Sequence, residues 1–206
     1  MTERLLETSR TTVRRRADRG NFDRALAYAI LDEALVAHVG FVVDGRPRVL
    51  PMTYGRVDGA IYLHGAVGNA MLRASSGADV CVTVTLLDGL VLARAAMHHS
   101  MNYRCVVLYG RAERVDDEPE KRRAFDAVVE HSVTGRTAIA RPANDVELRK
   151  TLVLRVPIDE GSVKVRSGGP VDDPEDLELP VWAGVIPMAL VAGAPVRNES
   201  ASAGGA

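Results

Sequence analysis

Arg46-Pro-Arg-Val-Leu-Pro-Met-Thr-Tyr54, followed a few residues later by Ala60-Ile-Tyr-Leu-His-Gly-Ala-Val-Gly-Asn-Ala-Met-Leu72, decides the fold. Arg48 to Arg56 reads as a strand, Asp58-Gly59 as a tight turn, and Ala60 to His64 as a further strand. The small residues after His64 then turn the chain into a short helix over Gly68 to Ala74. A turn of this kind leaves backbone N–H groups free at a helix N-terminus, where an anionic group can sit. Upstream, Val36 to Val43 is rich in β-branched residues and ends at Asp44-Gly45. That pair suits a two-residue hairpin, whose central positions need positive φ. Two Asp-Gly turns in close succession describe an antiparallel meander and not βαβ units.

Working outward, Asn21 is expected to cap a helix with Phe22, Leu26, Ala29, Ile30 and Ala34 on its apolar face. Val80 to Leu87 reads as a continuous apolar strand and Tyr103 to Val115 as a long one. Leu90 to Asn102 between them reads as irregular and holds the pair His98-His99. Asp117-Glu-Pro-Glu opens a helix with acids in its first turn and Phe125, Val128 and Val129 on its inner face. Asn144-Asp-Val-Glu147 has the form of a capping box. Thr151 to Val156 and Ser162 to Arg166 read as the last strands. Short strands, tight turns and few helices predict a mainly β protein, a closed or partly closed barrel with peripheral helices.

A chain of 206 residues, 47% hydrophobic, suits one domain. Its net charge of −1 argues against a dedicated nucleic-acid binder, whose phosphate contacts need excess Lys and Arg. Residues 1–20 form a basic lead-in with Arg10, Arg14, Arg15, Arg16 and Arg19. Acids are interleaved and no stacking aromatics accompany these arginines, so a solvated segment is expected. The domain is expected over 21–190, and the Ala, Gly, Ser and Asn of 191–206 predict a disordered tail. Cys81 and Cys105 lie in β-type runs and read as buried thiols. The N-terminus lacks a signal-peptide core, and the apolar run from Val181 to Pro195 is interrupted by Pro and Gly. A cytoplasmic protein without a membrane span is expected.

Four segments resemble the pyridoxamine 5'-phosphate oxidase-like FMN-binding split barrels, in their nitroimidazole reductase-like branch. These are Leu35 to Gly45, Arg46 to Leu72, His98-His-Ser-Met-Asn-Tyr-Arg-Cys-Val-Val-Leu-Tyr-Gly-Arg-Ala112, and Lys164-Val-Arg-Ser-Gly with Pro180-Val-Trp-Ala-Gly-Val-Ile-Pro187. The resemblance implies a six-stranded antiparallel split β-barrel that forms a homodimer, with FMN in grooves between the two copies. It implies that the ring lies along Arg48, Val49, Leu50, Pro51, Met52 and Thr53, and that the phosphate meets that strand and the turn His64, Gly65 to Asn69. Tyr103, Arg104, Lys164, Arg166 and Trp182 are its further cofactor contacts. A phosphate dianion favours a guanidinium fork, which Arg48 or Arg104 would supply. The oxidases carry Lys in a Ser-Arg-Lys run where this chain has Val67-Gly-Asn69, so the grip has fewer charges.

Each of these residues also has a plainer role open to it. Arg48 reads equally as an edge charge, His64 as a satisfied strand end, and Lys164 with Arg166 as a solvent face. Adjacent His98 and His99 would point to opposite faces of a strand, and no Cys or carboxylate set is spaced to complete a metal shell. A single His suffices for haem, however, and His64, His98, His99 and His131 are candidates. The expected function is an FMN-dependent oxidoreductase passing electrons from a reduced nicotinamide to a small nitro- or quinone-type acceptor. The alternatives are a flavin- or haem-binding carrier or sensor, and a deazaflavin-dependent relative. No catalytic side chain is expected, since the chain contains no G-x-S-x-G, H-E-x-x-H, P-loop or G-x-G-x-x-G pattern.

Overall fold

Asp44 and Gly45 take φ of 51° and 71°, so the predicted two-residue hairpin forms. It joins β2 (Ala37–Val43) to β3 (Arg46–Met52) in the computed structural model, which describes residues 3–197. The strand expected to run on to Arg56 breaks at Thr53, and β4 (Tyr54–Val57) enters a different sheet. The break lets one continuous chain segment serve two sheets packed face to face.

The larger sheet contains β1 (Gly20–Asn21), β10 (Glu160–Arg166), β7 (Ser100–Arg111), β6 (Asp79–Leu92), β2 and β3, in that order. A further strand, β11 (Gly184–Pro187), pairs with the far end of β6. The smaller sheet has the order β4, β5 (Ala60–Ala66), β9 (Thr151–Pro157), β8 (Glu113–Arg114). The pairings between these strands are all antiparallel, and among the described residues the two sheets remain separate ladders, an open split barrel and not a closed cylinder. Leu90 to Asn102 is more regular than its sequence suggests. Leu90 pairs with Met101 and Val91 with Ser100, and a short 3-10 turn over Ala96–His98 closes the hairpin.

Helix α1 (Arg24–Glu33) is capped by Asp23, whose carboxylate accepts from Leu26 N at 2.8 Å. The expected cap, Asn21, sits in β1 and accepts from Asp23 N instead. Helix α2 spans Ala70–Ser75, with Asn69 as its cap. In α3 (Glu118–Ser132) the Asp117 cap forms as read, but Ala124 and Val128 are buried while Val129 is only partly so. Asn144 and Glu147 form the expected capping box of α4 (Asp145–Arg149).

The core lies between the sheets: Val39, Val82, Val106, Leu108 and Val163 meet Tyr54, Ile61, Leu63 and Leu154, closed by Ile30 and Leu31 of α1. Burying each such aliphatic side chain contributes about 1.5–3 kcal/mol. Tyr54 is fully buried, with its hydroxyl in reach of the Leu31 and Ala34 carbonyls. Gly55 is required by packing, because a Cβ there would fall 2.6 Å from the backbone nitrogen of Val128 in α3.

The N-terminal lead-in is not a solvated arm. Leu5 is buried in the core, Leu6 N donates to Asp159 O at 2.7 Å, and Arg10 pairs with Glu160. Cys81 and Cys105 are half-buried, not enclosed. Residues 191–197 are exposed and without regular structure, and the rest of the expected tail lies outside the described residues. Among the described residues no helix is long and apolar enough to cross a membrane.

Candidate functional site

Among the described residues strand β3 pairs only with β2, at an edge of the larger sheet. Its side chains alternate between faces, yet Arg46 to Pro51 are all exposed and Met52 is only partly covered. Val49 and Leu50, on opposite faces, are 62% and 44% exposed. Pro47 and Pro51 are tolerated because an edge strand need not donate outward. Arg48 lies opposite Phe41 of β2, and its guanidinium has no ion pair or hydrogen bond among the described residues.

The end of β3 meets the turn after β5. Tyr54 pairs with Leu63, which sets Thr53 beside the His64–Gly65 end of β5. The turn is tied down by Val67 N to Lys150 O at 3.0 Å and by Asn69 N to Ala66 O at 2.8 Å. Asn69 Oδ1 accepts from Leu72 N at 3.1 Å, which occupies one helix-end donor and leaves the amide NH2 to donate elsewhere. A side chain at Gly65 would meet Leu72 Cδ1 at 2.9 Å and Asn69 Nδ2 at 3.4 Å, so the backbone here is approachable only as glycine. His64 packs 5.5 Å from the Phe125 ring, and its buried Nδ1 has no hydrogen-bond partner. Burial pushes its pKa below 6.5, keeping the imidazole neutral at pH 7. Thr53 therefore lies beside His64, Gly65 and Asn69, while Arg48 stands farther back along the same strand, about 17 Å from Thr53 at normal strand rise.

The remaining predicted contacts do not join them within one chain. Lys164 and Arg166 lie on β10, four strands from β3, or about 19 Å at normal strand spacing. Tyr103 pairs with Arg166 on the same face. Arg166 is buried and donates to Asn102 Oδ1 and to the carbonyls of Gly168 and Gly169, so it braces a turn and is not available to a phosphate. Arg104 is likewise committed: its guanidinium bonds both Asp88 and Glu33. Those hydrogen bonds hold both carboxyls below their usual pKa and raise that of Arg104. Lys164 Nζ reaches Arg15 O at 3.4 Å and borders a cavity of about 310 Å³ under the N-terminal segment. Trp182 is 63% exposed and covers Gly184, beside the β11–β6 ladder.

The four predicted histidine candidates separate clearly. His131 Nε2 donates to Ala34 O at 2.7 Å, and its ring stacks on Tyr54 at 4.5 Å, so this is a structural residue. His98 and His99 do not lie on a strand; His98 ends the 3-10 turn and His99 caps it. His98 Nε2 lies 3.0 Å from Asp173, and with Asp176 the three ligand atoms fall within 4.8 Å of one another. The sequence spacing hid this meeting, which ordinary surface ion pairing accounts for. His99 Nδ1 lies 3.1 Å from Ala95 O. A fifth, His38, was not among the candidates; it is exposed on β2.

The pyridoxamine 5'-phosphate oxidase family profile matches residues 23–165, and the chain belongs to that family. Its fold is similar to that of the flavocytochrome Anf3 from Azotobacter vinelandii, at 38% identity and TM-score 0.87 over 93% of this chain and 90% of that one. It is also similar to the FAD and haem binding protein from Mycobacterium smegmatis, at 36% identity and TM-score 0.86, covering 90% and 92%. A protein assigned to 5-nitroimidazole antibiotic resistance from Bacteroides thetaiotaomicron follows at 27% identity and TM-score 0.59, covering 71% and 86%. No curated protein matches the sequence.

Proposed function

We propose that this chain is a flavin-dependent redox protein, with the flavin held along β3 and against the turn from His64 to Asn69. The observation that carries this is an exposed edge strand bearing Val49, Leu50 and an unpaired Arg48, whose far end adjoins a glycine-floored turn. The residues fit the group. Arg48 offers a charged fork to a phosphate, and the Asn69 NH2 and the backbone at Gly65 offer neutral donors. Val49, Leu50 and Pro51 offer an apolar flank to a flat ring. When bound, the flavin accepts hydride from a reduced nicotinamide and passes electrons to a small acceptor of nitro or quinone type. The chain's residues bind and orient, and His64, held neutral by its burial, adds no charge beside the ring.

A second copy of the chain completes the groove. An uncovered apolar edge strand invites pairing or burial, and Lys164 lies too far from β3 to serve the same site within one chain. The sequence reading expects FMN; FAD is the form we favour, supported by the Mycobacterium smegmatis relative. A haem in addition to the flavin is the second reading, supported by both relatives above 35% identity and by the imidazole of His99, whose Nδ1 is held by the Ala95 carbonyl. An electron-handling role follows from either.

The test is the absorption spectrum of the purified protein, with chromatography of the released cofactor and anaerobic addition of NADPH. A two-band flavin spectrum that bleaches supports the proposal. A protein that neither carries nor takes up FMN or FAD overturns it.

A further inference from the structure

We infer that His99, through Nε2, is the ligand this chain gives to haem iron; the inference rests on the haem reading above. The Ala95 carbonyl 3.1 Å from His99 Nδ1 can only accept, so Nδ1 carries the proton and the Nε2 lone pair is left free. Iron-ligating histidines are held in this way, with the second nitrogen fixing tautomer and ring direction.

The carbonyl is itself well anchored. It also accepts from His98 N at 3.1 Å. The preceding Arg94 donates from its backbone N and from Nη1 to Asp172, each at 2.8 Å. The Asp172 side chain is 2% exposed, so this brace is shielded from water and from salt.

The surroundings suit a flat apolar ligand. Met97 and Met101, two residues to either side, are 89% and 51% exposed. Met101 pairs with Leu90 and Leu90 with Ile186, so the three side chains share one face. Large apolar side chains left open this close together mark a surface that meets an apolar partner.

The other histidines lack this combination. His131 is committed in the core, and His98 donates to Asp173. His64 is half-buried against Phe125, with Nδ1 enclosed. His38 is exposed on β2, with no contact to fix its tautomer.

Haemin is titrated into the full-length protein and into single alanine variants of all five histidines, following the Soret band, with flavin content and circular dichroism as folding controls. His99→Ala is expected to weaken haemin binding at least tenfold, with added imidazole restoring the Soret position. His99→Gln, which keeps a donor for Ala95 but has no ring nitrogen, is expected to behave alike. A wild-type protein that binds haemin while both variants bind it with unchanged affinity and spectrum overturns the assignment to His99. A wild-type protein that takes up no haemin overturns the haem reading itself, and the inference with it, while leaving the flavin reading standing.

Discussion

Arg104 and Asp88 face each other where the β6–β7 ladder slips by one residue. Leu87 pairs with Tyr103 and Gly89 with Asn102, leaving Asp88 out of register. The bulge turns its carboxylate onto Arg104 Nε and Nη2, at 3.0 and 2.8 Å. The same guanidinium reaches back to Glu33 at the end of α1, so one side chain ties helix to sheet.

Replacing Arg104 with Met is therefore expected to cost about 1–2 kcal/mol, a modest figure because all three groups are partly solvated. Both carboxyls titrate below their ordinary values of 3.8 and 4.5 in the folded protein. Their contribution is complete above those values and is lost as pH falls through the lower folded ones. Urea midpoints for wild type and variant are expected to differ at pH 7 and to converge below pH 4. A gap that persists in acid would contradict the assignment.

Arg48→Ala removes a guanidinium that has no ion pair or hydrogen bond among the described residues. Melting temperature is expected to stay unchanged, while flavin affinity falls roughly 10- to 100-fold, the equivalent of one charge-assisted contact of about 1.5–3 kcal/mol. Quenching of flavin fluorescence on titration measures it. Unchanged affinity would move the phosphate elsewhere.

At Gly55 a Cβ would meet the α3 backbone at 2.6 Å, and backbone cannot rotate aside. Gly55→Ala is expected to lose about 2 kcal/mol or more by forcing α3 off β4. Calorimetry comparing it with Gly135→Ala separates packing from conformation, since Gly135 has open space but a positive φ of 79°. A loss at Gly55 no larger than that at Gly135 would contradict the packing argument.

His64 gives a pH signature of the opposite range. Burial lowers its pKa from 6.5, so the unfolded chain takes up a proton first. Stability from this residue is complete above pH 6.5 and declines as pH falls from there toward the folded value. His64→Gln is expected to flatten that decline between pH 7.5 and 5.5 in chemical denaturation. Identical slopes for the two proteins would rule the residue out.

Local signals in the sequence carried much of the architecture, because they act within a few residues. Asp44-Gly45, Asp117 and the Asn144–Glu147 box each satisfy backbone demands nearby, and each formed as read. What stayed hidden depends on partners far along the chain. Arg104 and Arg166 look like free cations until Glu33, Asp88, Asn102 and the turn at Gly168 are brought to them. The His98–Asp173 meeting and the burial of Leu5 are equally long-range. Leu90 to Asn102 was misread because its order comes from cross-strand pairing of Leu90 with Met101 and Val91 with Ser100, with β11 adding to the outer side of β6, and neither pairing shows in local propensity. The meeting of the end of β3 with the turn after β5 was legible because β3, β4 and β5 are consecutive.

The exposure of β3 also bears on how this protein can be made. An exposed edge strand with open backbone and the apolar side chains of Val49 and Leu50 is a template for the same edge of another molecule, blunted only in part by Arg46, Arg48, Pro47 and Pro51. Chains synthesised faster than their covering arrives meet one another first. On the flavin reading proposed above, cofactor supplied to the producing cells thus acts as folding assistance, and its supply sets the recoverable yield of soluble material.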